Sequence, residues 1–193
     1  MSVRLSSKPR AGRLPHLYAD GFTYFLTART HDQKHYLDTD AKKQLFIQIW
    51  NTLIKDYTIQ TYHWILWSNH YHALIYVPIG DTLPRLINRL HSTMTLKLNR
   101  IDNTPGRKIW NQYWDHCVRN EVDFWKHFNY ITANPVKHQW CKDLAIGFTY
   151  PHSGNPQWVQ KQGTDFLYER IWSYPIREFQ PEENKSSSRD ITG

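Results

Sequence analysis

The order in which hydrophobic periods alternate along this chain constrains its fold more than any other feature. Phe22 to Arg29, Phe-Thr-Tyr-Phe-Leu-Thr-Ala-Arg, is dominated by β-branched and aromatic residues and reads as a strand. A polar loop with His31 and His35 follows, and Asp38, Thr39 and Asp40 offer N-caps for a helix ending near Tyr57, with Leu45, Ile49 and Leu53 on one face. Residues 58–67 are again β-rich, and after Ser68-Asn69 a further strand starts at His70 and runs through Val77 until Pro78 stops it. Thr82 reads as the cap of a second helix with Pro84 in its first turn, in which Leu86, Leu90, Thr93 and Lys97 lie on one stripe. Arg85, Arg89, Lys97 and Arg100 give that helix a basic outer face. Residues 102–107 are a loop, and residues 109–119 read as a fourth, aromatic-rich strand. Asn120 then caps a third helix, with Glu121 and Asp123 in the first turn where the helix dipole favours negative charge. Strand, helix, strand, strand, helix, strand, helix predicts an α+β fold, a split βαβ or ferredoxin-like antiparallel sheet with helices packed on it.

Composition narrows the partner. Lys and Arg outnumber Asp and Glu by 24 to 17, a net charge of +7 that favours a polyanion, with nucleic acid the first expectation. Aromatic residues make up 15% of the chain and serve either as core or as platforms for unpaired bases. Only Cys117 and Cys141 are present, so neither a disulfide framework nor a cysteine zinc site is indicated, and a cytoplasmic protein is expected. No window approaches the roughly 20 apolar residues of a membrane span. There is no glycine-rich phosphate loop and no Gly-x-Ser-x-Gly elbow. Residues 1–15 read as a flexible basic arm, 16–145 as one domain, 146–181 as an extension wrapping it, and 182–193 as a polar, disordered tail.

Chemistry concentrates at two places. On an extended strand residues i and i+2 share a face, so His70 and His72 can point at one metal ion while Tyr71 turns away. On a helix residues i and i+4 share a face, so Asn134 lies one turn from the Tyr130 hydroxyl, and Pro135 forces the helix to end or bend there. Two nitrogens, an amide oxygen and a phenol suit metal-assisted attack by tyrosine on a phosphodiester. Each part alone has a plainer reading: a His-x-His pair arises by chance in a chain with eleven histidines, and a lone tyrosine is usually core or surface. Trp110 and Trp114 share a strand face, as core or as stacking groups, and His116 and Arg119 either contact phosphate or are surface groups.

Three segments together resemble a known family. Trp67-Ser68-Asn69-His70-Tyr71-His72, Trp110-Asn111-Gln112-Tyr113-Trp114-Asp115-His116 and Tyr130-Ile131-Thr132-Ala133-Asn134-Pro135-Val136-Lys137-His138 are similar, in order and spacing, to the REP-associated tyrosine transposases, relatives of the single-tyrosine HUH transposases. The resemblance implies an RRM-like sheet of the HUH endonuclease type. It implies a divalent metal, Mg2+ or Mn2+, held by His70, His72 and Asn134, and Tyr130 as the nucleophile. The implied substrate is single-stranded DNA carrying a palindromic hairpin, cut to leave a 5′-phosphotyrosine and a free 3′-hydroxyl that can rejoin. Arg85, Arg89, His116, Arg119 and Lys137 are the expected DNA contacts. Monomer and homodimer both stay open. Trp67-Ser68 stands where Met-Pro is frequent in the family, and Gln139-Trp140 after the histidine is also unusual. Two rival functions remain: a binding module for hairpin DNA or RNA on the same sheet, and a zinc hydrolase using His70 and His72 with a bound water.

Overall fold

The structure, a computed structural model, describes residues 19–177 and 179. The expected basic arm and the polar tail lie outside the described residues. Four antiparallel strands, β1 (Phe22–Arg29), β2 (Gln60–Leu66), β3 (His70–Val77) and β4 (Trp114–Cys117), form one sheet in the order β2-β3-β1-β4. With the helices α1 (Asp40–Asp56) and α2 (Thr82–Ile101) after β1 and β3, this is the ferredoxin-like order.

Alternation of side chains divides the core in two. Tyr24, Leu26 and Ala28 of β1 and Tyr71, Ala73, Ile75 and Val77 of β3 face α1 and α2, where they meet Phe46, Trp50, Leu86, Leu90 and Met94. Phe25, Ile65 and Leu74 point the other way, onto α3 (Glu121–Thr132), and pack with Phe128, Tyr130 and Ile131. A third helix thus covers the second face of the sheet, and His70 and His72 share that face with Leu74.

Side-chain caps start α1 and α3. Thr39 accepts a hydrogen bond from the Lys42 amide, and the Asn120 side chain accepts one from the Asp123 amide, caps worth about 1 kcal/mol each. Four expectations need correction. The buried stripe of α1 is Phe46, Trp50 and Leu53, with Leu45 and Ile49 only partly covered, because the large rings reach the sheet first. Thr82 does not cap α2: its hydroxyl donates to the Ile79 carbonyl, and the N-cap position is Asp81. The buried stripe of α2 runs through Leu83, Leu86, Leu90, Met94 and Leu98, not through Thr93 and Lys97. The fourth strand is only Trp114–Cys117; upstream, a single bridge joins Trp110 to Thr30, so Trp110 is buried in the α1/α2 core while Trp114 is exposed.

After α3 come α4 (Asn134–Lys137), α5 (Leu144–Gly147), α6 (Asn155–Gln162) and α7 (Thr164–Ser173). Between α5 and α6 the chain runs along the outer edge of β2. The Leu66 amide donates to the His152 carbonyl, the Gly154 amide to the Trp64 carbonyl, and Ile65 bridges Ser153. Buried Asn155 locks the segment by donating to the carbonyls of Thr132 and Gly147 at 3.0 and 3.1 Å. Among the described residues, no helix is long and apolar enough to cross a membrane.

Candidate active site

β3 supplies two imidazoles whose ring centroids are 5.2 Å apart, while Tyr71 between them packs on Phe46 and Trp110 across the sheet. Strand register sets Arg29 opposite His70 and Thr27 opposite His72. His70 Nδ1 donates to Asn69 Oδ1 at 2.7 Å, and the Asn69 amide nitrogen is itself held on the Gln33 carbonyl. An amide oxygen only accepts, so the His70 proton sits on Nδ1 and the lone pair on Nε2. His72 Nδ1 lies 2.6 Å from the Thr27 hydroxyl. A second partner on Nδ1 is the usual means of orienting a metal-binding imidazole. Burial, helped by the nearby charges of His138, Arg29 and Lys137, pushes His70 down to about 3. Burial, with the neighbouring His70 and His138, holds His72 well below its ordinary value. Both rings are therefore neutral near pH 7, the form that ligates a metal.

α3 and α4 bring up the phenol and the amide. Tyr130 lies within the buried run His127–Thr132 on α3, with its ring edge-on to His72 at 5.2 Å and to Phe25 at 6.0 Å. One turn on, Ala133 closes α3 and α4 starts at Asn134 with Pro135 in its first turn, so the break expected at Asn134 is present. Asn134 Oδ1 accepts from the Trp67 indole at 2.7 Å, which fixes the amide orientation and leaves its Nδ2 buried without a hydrogen-bond partner. The oxygen keeps a second lone pair. Lys137 Nζ donates to the Tyr130 hydroxyl at 3.0 Å and lies 4.2 Å from the ring centroid. α4 then stops in a Schellman turn: the Gln139 amide reaches the Val136 carbonyl and the Trp140 amide the Pro135 carbonyl, with Gln139 at φ 57°.

His70, His72, Tyr130 and Lys137 line one cavity of about 520 Å³, while fully buried Asn134 lies behind its wall, on the Trp67 indole. Arg29, Gln33, His35, Trp67, Ser68, Asn69 and His138 complete its wall. The His138 ring is 4.8 Å from that of His70 and 5.0 Å from that of Trp67, and its basicity is lowered by burial, Lys137 and Arg29. Sequence reasoning had not assigned Arg29, Gln33, His35 or His138 to the site. His138 could have been found from its place beside Lys137, whereas Arg29 follows only from the β1–β3 register. An aromatic platform adjoins the cavity: Trp67 stacks on Tyr150 at 4.6 Å, and half-exposed Trp140 meets Tyr150 edge-on at 5.0 Å.

The remaining expected DNA contacts are dispersed. Arg85 and Arg89 are exposed on α2, which covers the opposite face of the sheet from Tyr130. Arg119 is exposed at the start of α3. His116 is turned onto Asp123 at 2.9 Å and is largely covered. His116, Asp123 and His127 form a group compatible with a divalent metal ion.

Residues 18–134 match the family described as "Transposase IS200 like". The chain is 28% identical over 130 residues to a REP-associated tyrosine transposase of Escherichia coli, covering 66% of this chain and 74% of that protein. It is 30% identical over 132 residues to a putative REP-associated tyrosine transposase of Haemophilus influenzae, covering 63% and 74%. Among solved structures, a REP-associated tyrosine transposase bound to a REP hairpin superposes with a TM-score of 0.62 at 22% identity, over 78% of this chain and 86% of that one, a likeness of fold.

Proposed function

This chain belongs to the IS200-like transposase family, and from that premise we propose that it cuts and rejoins single-stranded DNA beside a hairpin with Tyr130 as the nucleophile. The observation that carries the proposal is the cavity on which the Tyr130 hydroxyl, the Lys137 ammonium and the neutral pair His70 and His72 converge. Tyr130 Oη attacks the scissile phosphorus, the P–O3′ bond breaks, and the DNA is left with a free 3′-hydroxyl and a 5′-phosphate on the tyrosine. Attack by a 3′-hydroxyl reverses the exchange, so no nucleotide cofactor is required. A phenol is a weak nucleophile while it keeps its proton. Lys137 opposes that weakness by holding the phenolic oxygen in place and stabilising the negative charge that appears as the proton leaves.

The donor set fits a divalent ion. His70 and His72 would hold it through Nε2, and Asn134 through the amide lone pair that Trp67 does not use. Mixed nitrogen and oxygen donors suit Mn2+ better than Mg2+, which prefers oxygen throughout. When bound, such an ion would polarise the phosphate and offset charge in the transition state. The REP hairpin held by the similar solved structure supports a hairpin as this chain's substrate. Under this proposal Arg29 and His138 on the cavity wall, with Trp67 and half-exposed Trp140 backed by buried Tyr150, receive unpaired bases and phosphates near the cut. In this reading residues 16–145 carry the chemistry and 146–181 support it.

The test is adduct formation. Purified protein is mixed with 3′-labelled single-stranded hairpin oligonucleotides from around its own gene, with Mg2+, Mn2+ or EDTA. A labelled band of protein size on denaturing gels that needs metal and disappears in Tyr130→Phe is the expected result. Tight hairpin binding without an adduct under any metal would replace the reading with that of a binding module, and metal-dependent hydrolysis surviving Tyr130→Phe would replace it with that of a hydrolase.

A further inference from the structure

Back to back with the catalytic cavity lies a second cluster of ligating side chains. His116 comes from β4, and Asp123 and His127 sit one turn apart on α3. His116 Nε2 is 2.9 Å from Asp123 Oδ2, and His127 Nδ1 is 3.1 Å from Asp123 Oδ1 and 2.9 Å from the Asp123 carbonyl. The two imidazoles stack on each other at 4.8 Å. The Phe25 ring separates this cluster from the catalytic pair: it lies 4.4 Å from His127 on one side and 5.5 Å from His72 on the other.

We propose that His116, Asp123 and His127 form a second metal site, distinct from the His70 and His72 pair, that takes a divalent transition ion of the zinc class and clamps β4 to the start of α3. The spacing is that of a ligand set. One ligand atom from each residue can be chosen so that all three lie within 4.8 Å of one another. Tetrahedral donors about 2.0–2.1 Å from a shared ion stand roughly 3.4 Å apart, so loading asks for movements on the order of 1 Å or less. Two nitrogens and one carboxylate select zinc, cobalt or manganese over magnesium or calcium.

The supporting shell is in place. The Arg119 backbone amide donates to Asp123 Oδ2 at 3.0 Å, and Asn120 accepts from the Asp123 amide at 2.9 Å, so the carboxylate is held before any ion arrives. Phe25 and Phe179 wall in the His127 ring. His127 is buried, while His116 and Asp123 keep 14% and 19% of their side chains exposed, which leaves an approach from solvent. Without an ion the same atoms hydrogen-bond to one another. On loading, both imidazoles change tautomer, the His127 proton moving from Nδ1 to Nε2 and the His116 proton from Nε2 to Nδ1 by exchange with solvent, and the freed nitrogen lone pairs take the place of those hydrogen bonds. The clamp would fix the rotation of α3 one turn ahead of Tyr130, making these three positioning residues for the nucleophile.

The experiment separates the two sites. Untagged wild-type protein and His70→Ala/His72→Ala are stripped with chelator, dialysed, and titrated with Co2+ by visible absorption and with Zn2+ by calorimetry and native mass spectrometry. The wild type is expected to take two ions and the double variant one, with a ligand-field band retained. Adding His116→Ala or Asp123→Asn to the double variant should weaken that remaining equivalent by about 100-fold or more. Zero equivalents in the double variant, or binding unchanged by His116→Ala, would leave a purely hydrogen-bonded triad and overturn the proposal. The stoichiometry of the double variant decides the matter even if the further substitutions impair folding. Neither result depends on whether Tyr130 forms an adduct.

Discussion

Removing the Lys137 charge should slow cleavage without abolishing DNA binding. Lys137→Met keeps the length of the side chain and deletes the ammonium that donates to the Tyr130 hydroxyl at 3.0 Å. A charge-assisted hydrogen bond contributes roughly 1.5–3 kcal/mol where water is excluded. Lys137 is exposed, so solvent competes for the ammonium and the contribution falls to about 1–2 kcal/mol. If that contribution grows in as the phenolate forms, it converts to about 5- to 30-fold in the rate of adduct formation. The assay is single-turnover appearance of the protein-linked band, with DNA and Mn2+ both saturating so that binding is not measured. Lys137→Arg, which retains the charge in a broader head group, should fall between the two. The reasoning fails if the rate at saturation stays within about twofold while the Kd for DNA rises and its dependence on salt flattens by about one phosphate contact. That pattern would return Lys137 to the backbone-contact role first assigned to it from sequence.

Three further outcomes can be checked. Thr27→Val removes the hydroxyl 2.6 Å from His72 Nδ1 and should lower Mn2+ affinity by about 10- to 100-fold in an EPR titration, with an unchanged affinity showing that the hydroxyl does not orient the ring. Burial alone would raise the Asp123 carboxyl, but hydrogen bonds from His116, His127 and the Arg119 amide outweigh it and hold that carboxyl far below the usual range. Its stabilisation is therefore complete above the unfolded value of about 3.9 and shrinks as the pH falls toward the folded one. In chelator, Asp123→Asn should destabilise the protein to urea more at pH 7 than at pH 2.5, and equal effects would contradict the depressed value. Gln139 sits at φ 57°, a backbone conformation that favours glycine, so Gln139→Gly should stabilise by about 0.5–1 kcal/mol in urea, and a loss of stability would show that the side chain compensates for the strain.

Much of this was legible from residue order because local signals and tertiary demands agree. β1 and β3 begin and end where their β-branched and aromatic runs do, and Asn120 caps α3 as its side chain dictates. Where they disagreed, packing decided. Trp110 and Trp114 have strand-like spacing, yet only Trp114 enters β4 and Trp110 keeps a single bridge, because Trp110 is drawn into the α1/α2 core. α6 and α7 lie in the stretch expected as an extension wrapping the domain, and residue order does not announce them as helices: they are 8 and 10 residues long, and Trp158, Phe166 and Leu167 are spread among polar residues, although Asn155-Pro156 marks a helix start once its position is known. At the site, His70, His72, Tyr130 and Asn134 could be related by spacing within single elements. Arg29 and His35 could not, since they enter the cavity through a register and a loop that no local pattern encodes.

The segment lying along β2 has a consequence for the order in which this protein is made. Every side chain named for the chemistry has been synthesised once His138 leaves the ribosome. The strand edge they depend on is still open then, because the partners of Trp64 and Leu66 are Gly154 and His152 respectively, and the lock on them is Asn155. A nascent or trimmed chain ending near residue 145 would carry the complete reactive set on a sheet with a bare flank, a template for any other extended strand. Covering of the edge thus follows synthesis of the reactive set, and those groups gain a closed flank only when residues 152–155 are in place.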